Sequence, residues 1–263
     1  MKAINRAGWT LFWILVAAIA IFLIAPTLIS IPISFTETPS IQFPPVGFSL
    51  KWYRAILDSE DWRDATINSL VVATLTAVVS VVLGTLASVS LSRLEFRGKA
   101  VIFGILLTPL VTPVIVLSIG TYMVFSRWGI SNSLIGLVIA HTSLATPFVI
   151  VSTSASLKMM NRNLELAGAG LGASAIRVFY RVTLPLILPG MVSGAIFAFI
   201  TSWDEVVIAT FLTDPETRTV PVLIWGQVRA ELNPTMAAVS SILIVVSACG
   251  LLLSYKLRRQ ELR

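Results

Sequence analysis

Residues 158–190 read KMMNRNLELAGAGLGASAIRVFYRVTLPLILPG and interrupt a chain that is otherwise mostly apolar. The stretch carries Lys158, Arg162, Arg177 and Arg181 against one acid, Glu165. Leu164 to Leu171 is small, apolar and helix-compatible, and Gly168, Gly170 and Gly172 allow a partner to approach closely. Pro185 and Pro189 mark where the chain is expected to turn back into an apolar run. A basic, glycine-bearing connection between two apolar runs implies a membrane protein with a binding element on one side.

Composition supports that class. Of the 263 residues, 56% are hydrophobic and only 12% are charged, about half the charged share of a soluble domain. Mean hydropathy is +0.89. Uncharged runs cover residues 7–36, 65–92, 100–126, 128–157, 182–203 and 232–255. Each can hold the roughly 20 residues that cross ~30 Å of hydrocarbon. The expected fold is therefore an all-α integral membrane protein with six transmembrane helices. The first run is too long for a signal peptide and lacks a small-residue cleavage site after a short core. One cysteine, Cys249, lies in an apolar run and excludes a disulfide framework.

Lys and Arg set the orientation. With the N-terminus inside, the inner segments hold Lys2, Arg6, Arg93, Arg97, Lys99, Lys158, Arg162, Arg177, Arg181, Lys256, Arg258, Arg259 and Arg263, or 13 of the 19 basic residues. The expected topology is N-in/C-in, with residues 158–190 in the cytoplasm. The net charge of +6 follows from that asymmetry and gives no support to nucleic-acid binding. Three regions are expected: a first span and outer segment (1–63), a five-helix core with a cytoplasmic loop at 158–187 (64–255), and a basic tail (256–263).

Several features along the chain carry competing readings. Residues 50–57 suit a short interfacial helix, and Trp52, Tyr53 and Trp62 suit an interfacial aromatic belt. Gly84 and Ser88, four apart, form a small-xxx-small pattern in the second span. Pro109 and Pro113 fall on one face of the third span, as a kink or as a bend lining a pathway. His141 has no acid in its own span and serves either helix–helix hydrogen bonding or transport. The fifth span, about Leu188–Phe211, contains Thr-Ser-Trp-Asp-Glu at 201–205. An ionised acid at span centre costs on the order of 2.5–3.5 kcal/mol. Asp204 and Glu205 therefore either line a pathway or lie solvated at the outer interface. On one helix they sit ~100° apart, so only one can point straight into a pathway.

Enzyme chemistry has no anchor. Gly98-Lys99 lacks the upstream glycine and the following hydroxyl of a phosphate loop. Gly168-Ala-Gly170-Leu-Gly-Ala173 matches a dinucleotide fingerprint by letter but follows no expected strand. Metal-ligand clusters, HExxH and GxSxG are absent from the sequence.

The opening stretch resembles the cytoplasmic signature of permease subunits in binding-protein-dependent ABC importers, E-A-A-x3-G-x9-I-x-L-P. Its positions fall on Leu166, Ala167, Gly168, Gly172, Val182, Leu184 and Pro185, with Leu166 where the family has Glu and Glu165 one residue earlier. The likeness extends to Phe48–Tyr53, Asn68-Ser69-Leu70, Phe96–Lys99 and Pro109/Pro113. It is strongest to the second permease of spermidine/putrescine importers, whose fifth span similarly ends in a Ser-x-Asp-Asp sequence, here Ser202-Trp203-Asp204-Glu205. Permeases for opines, aminophosphonates or ferric iron look alike, and a stand-alone transporter or channel is the competing class. The resemblance implies an ATPase dimer that carries ATP and Mg, a second permease subunit, a periplasmic substrate-binding protein and a bacterial inner-membrane location. It implies a loop helix docked in the ATPase, with Leu164, Glu165, Leu166, Ala167, Gly168, Leu171, Gly172 and Pro185 as coupling residues. It also implies a substrate pathway past Ser202, Trp203, Asp204 and Glu205, with no cofactor or metal in this chain.

Overall fold

Apolar runs without charges become helices because a helix satisfies every backbone polar group within its own segment. The computed structural model describes residues 6–230 and 233–261. Among these, the regular elements are helical. The first three helices are α1 (Arg6–Ile33), α2 (Lys51–Leu57) and α3 (Glu60–Arg93). Next come α4 (Lys99–Leu107), α5 (Val114–Trp128), α6 (Leu134–Met159), α7 (Asn163–Gly170) and α8 (Ala175–Val178). The chain ends with α9 (Leu184–Trp203), α10 (Val207–Leu212), α11 (Val220–Ala230) and α12 (Thr235–Glu261).

Four segments are long and apolar enough to cross a membrane: Gly8–Ile33, Glu60–Arg93, Leu134–Met159 and Ala175–Trp203. Lys99–Leu110 and Val114–Trp128 qualify together but are bent by 97° at their junction. Thr235–Cys249 is a shorter apolar helix within the described residues.

The chain divides into two compact units, Met1–Arg63 with Gly226–Arg263, and Asp64–Trp225. The last helix thus belongs with the first span, not with residues 64–225. In the first unit α12 lies on α1 and α2. The segment between α1 and α2 is tied back by side chains. The Trp52 indole N–H donates to the Thr36 carbonyl at 2.8 Å, and the Tyr53 and Ser34 hydroxyls are 2.7 Å apart. The Phe35 and Phe48 rings stack at 5.0 Å. Trp62 is buried. Trp52 and Tyr53 therefore help close a local fold of this segment.

In the second unit α6 is the central helix. A Cβ on Gly84 of α3 would come within 2.7 Å of Val149, and one on Gly194 of α9 within 2.8 Å of the Val149 backbone. Both neighbours therefore reach α6 only because they present glycine where they cross it. The Ser88 hydroxyl extends the first contact by donating to the carbonyls of Gly84 and Ile150. Val72, Leu137, Leu144, Ile208 and Leu212 belong to a second apolar cluster, among α3, α6 and α10.

Two expected spans differ from the sequence reading. Pro109 lies in a 3-10 turn, Thr108–Leu110, and Pro113 caps the start of α5. Two prolines four apart remove two backbone donors within a single turn, so the helix breaks by 97° and the residues share no helix face. The return from the 158–190 stretch also comes earlier than expected. Gly172, at φ +80°, makes the turn. Helix resumes at Ala175 and passes through a π-turn, Phe179–Thr183, before Pro185. That wider turn accommodates a ring that would otherwise clash with the preceding turn of an α-helix. The segment Ala175–Trp203 has 29 residues, about 44 Å at 1.5 Å per residue, so Asp204 stands at its end and not inside it.

Candidate functional site

The break after α9 separates residues that the sequence places side by side. Asp204 is the C-cap of α9, and α10 begins at Val207. Asp204 is exposed and lines a cavity of about 460 Å³. Thr201, Leu144 and Phe148 form part of its wall, with Pro109, Leu110 and Val114 from the 97° bend opposite in sequence. The proline bend thus contributes to the same cavity as the acid.

Glu205 does different work. Its carboxylate is 8% exposed and accepts from the N–H groups of Val207, Ile208 and Ala209 at 2.9–3.0 Å. These are donors that the first turn of α10 cannot satisfy internally. A negative charge at that helix start also complements the helix dipole. Ser202 is buried, with its hydroxyl 2.8 Å from His141 Nδ1. Trp203 stacks on Phe199 with ring centroids 6.0 Å apart and is not part of the cavity wall. Of the four consecutive candidates, Asp204 alone presents an open carboxylate. Ser202 and Trp203 face neighbouring helices and aromatic side chains, because the helix ends between them and the acids.

The α6–α9 connection forms the other candidate site. Leu164, Leu166 and Leu171 are 47%, 60% and 90% exposed, an unusual accumulation of bare leucines in a polar connection. Ala167, Gly172 and Pro185 are also exposed. Gly168 faces inward, where an added Cβ would lie 3.3 Å from Val178. Glu165 is turned inward too. Its Oε1 accepts from Arg93 Nη2 at 2.8 Å and from the Thr183 hydroxyl at 2.5 Å. The acid thus ties α7 to the end of α3 and to the π-turn, while Leu166 occupies the outward position beside it. Sequence reasoning did not find Arg93 and Thr183, which lie 72 and 18 residues from Glu165. Helical spacing carries no signal over such separations.

The chain thus combines membrane-spanning helices, a carboxylate in an open cavity and an exposed apolar helix between two spans. The family described as binding-protein-dependent transport system inner membrane component matches residues 80–260, and the chain belongs to that family. It is a multi-pass protein of the bacterial inner membrane. Putrescine transport system permease protein PotI of Escherichia coli (strain K12) is 31% identical over 248 residues, covering 91% of this chain and 88% of the relative. Spermidine/putrescine transport system permease protein PotC of the same organism is 30% identical over 245 residues, covering 93% and 92%. Two solved structures share the fold. A bacterial ABC transporter involved in the import of the acidic polysaccharide alginate superposes with TM-score 0.77 at 16% identity, covering 99% of this chain and 98% of that one. The MetNI methionine ABC transporter, in inward-facing form, gives TM-score 0.58 at 19% identity, covering 77% and 94%.

Proposed function

We propose that this chain is the permease subunit of an ATP-driven importer for a polyamine-like cation of the spermidine/putrescine type. The observation that carries the reading is the open carboxylate of Asp204 in a cavity otherwise lined mainly by apolar residues. A carboxylate at such a position attracts an ammonium group and repels anions at close range. The putrescine and spermidine/putrescine permeases to which the chain is similar point the same way.

In this proposal the chain crosses the membrane six times with both termini in the cytoplasm, and the working unit is a complex. It comprises this chain, a second and different permease, two ATPase subunits that carry ATP and Mg, and a periplasmic binding protein that delivers the solute. ATP is bound and split on the partner and not here. Helix α7 docks in a cleft of the ATPase. Closure of the ATPase then moves α7, and the spans swing between inward- and outward-open states. Support for docking comes from the outward leucines of α7 and from the Glu165–Arg93 link, which joins that helix to the end of α3.

The test is uptake of radiolabelled putrescine by vesicles holding the assembled complex, its binding protein and internal ATP. Uptake that requires ATP and is outcompeted by spermidine but not by a neutral or anionic solute supports the reading. Uptake by the purified chain alone would contradict it.

A further inference from the structure

The buried polar cluster behind the cavity does more than satisfy its own groups. His141 is 1% exposed in the first third of α6, the central helix. Its Nδ1 is 2.8 Å from the Ser202 hydroxyl on the last turn of α9. Its Nε2 lies 3.5 Å from Glu205 Oε2. That separation is longer than a well-formed hydrogen bond, and among the described residues Nε2 makes no other hydrogen bond. Glu205 in turn holds the first three free N–H groups of α10. One side chain on α6 thus touches both sides of the break, the end of α9 and the acid that starts α10. Asp204 lies between these two anchors.

We propose that His141 is the positioning residue for Asp204. By fixing Ser202 and Glu205 together against α6, it holds the α9–α10 break in the geometry that turns the Asp204 carboxylate into the cavity. Burial makes this arrangement stringent, because a polar group in such surroundings is costly unless matched. The bond from Ser202 sets the end of α9, and the Nε2–Glu205 contact sets the start of α10. An apolar residue of similar size would fill the space but release Ser202 and the Glu205 cap of α10 from α6, so the break would shift as a unit and Asp204 would lose its direction. The proposal rests on the reading that Asp204 meets the passing cation.

The experiment is putrescine uptake per assembled complex in vesicles containing both permeases, the ATPase and the binding protein. The variants are His141→Leu, His141→Gln, His141→Asn, Asp204→Asn and the double variant His141→Leu with Asp204→Asn. Leu removes both contacts. Asn keeps a polar group toward Ser202 but does not reach Glu205, and Gln reaches toward Glu205. Uptake is expected to fall by about tenfold in His141→Leu, with the double variant no lower than Asp204→Asn alone, since groups acting through one another are non-additive. His141→Gln should recover most of the loss. If His141→Leu fails to assemble, His141→Asn carries the test and is expected to show the same defect.

A direct measure of position comes from Asp204→Cys on a Cys249→Ala background, which leaves one reactive thiol because the chain has one cysteine. A cationic thiol reagent should modify it more slowly when His141 is Asn. Near-normal uptake in the His141 variants, beside a strong loss in Asp204→Asn, would overturn the positioning role and leave the Asp204 reading intact. Multiplicative losses in the double variant, or unchanged thiol reactivity, would overturn it as well. Normal uptake in Asp204→Asn would sink the reading of the cavity itself.

Discussion

Asp204 and Glu205 are neighbours with opposite duties, and their variants should separate cleanly. Asp204→Asn changes one exposed oxygen and breaks no internal bond, so the protein should reach the membrane at normal abundance and lose most putrescine uptake. Glu205→Ala strands three N–H groups of α10, at about 1–3 kcal/mol each before relaxation. Abundance should fall first, as measured by immunoblot of membranes, with uptake falling in proportion. The reverse pattern would exchange the two roles. Glu165 and Arg93 make a second pair to test. Their side chains are only 15% and 23% exposed, so removing one partner leaves the other poorly solvated and costs on the order of 1–3 kcal/mol, more than an exposed pair. The larger expected effect of Glu165→Ala is on coupling, with ATP hydrolysis continuing while uptake per ATP declines. Exchanging the pair, Arg93→Glu with Glu165→Arg, should restore part of that ratio. In the proposed docking, Leu166 makes the contact apolar and not ionic. The acid has shifted one position and turned inward, leaving an apolar side chain outside.

At the scale of elements, two glycines serve different ends. Gly84 allows α3 to touch α6, and Gly84→Leu should lower the amount of folded protein because the added carbon meets Val149 at 2.7 Å. Gly172 touches nothing within 4 Å but sits at φ +80°, where an L-residue costs about 1–2 kcal/mol. Gly172→Ile should therefore assemble nearly normally yet misdirect the turn after α7, hydrolysing ATP without matching uptake. The exposed leucines of α7 give a further test. Leu166→Asp and Leu171→Asp remove no internal contact of consequence, so abundance should hold while copurification of the ATPase is lost. Copurification at full yield would mean that α7 is not the docking helix. The two helix breaks show how much of the pattern was legible. Pro109 and Pro113 announced an interruption, but a kink and a 97° bend look alike in sequence, since the angle depends on what each half packs against. The break after Trp203 had no proline to announce it. It depends on Glu205 finding the starting N–H groups of α10.

At the scale of the molecule, reporter fusions at the two ends should both report the cytoplasm if the Lys and Arg bias sets the topology as expected. A periplasmic signal from either end would overturn it. Membrane class, apolar spans and transport family were all readable from the sequence, because hydropathy is a sum over ~20 residues and the α6–α9 signature depends on local spacing. So was the set of candidates at 201–205. What only the tertiary structure decided is that Asp204 is open in the cavity wall while Glu205, in the same wall, is buried and bound to α10, what His141 pairs with, and which way Glu165 turns. The last two depend on partners 61 and 72 residues away in the chain, His141 with Ser202 and Arg93 with Glu165. One-dimensional periodicity tells which face of a helix a residue shares. It is silent on which other helix that face meets, because glycine-permitted contacts such as Gly84 and Gly194 on Val149 set the angle and depth of each crossing.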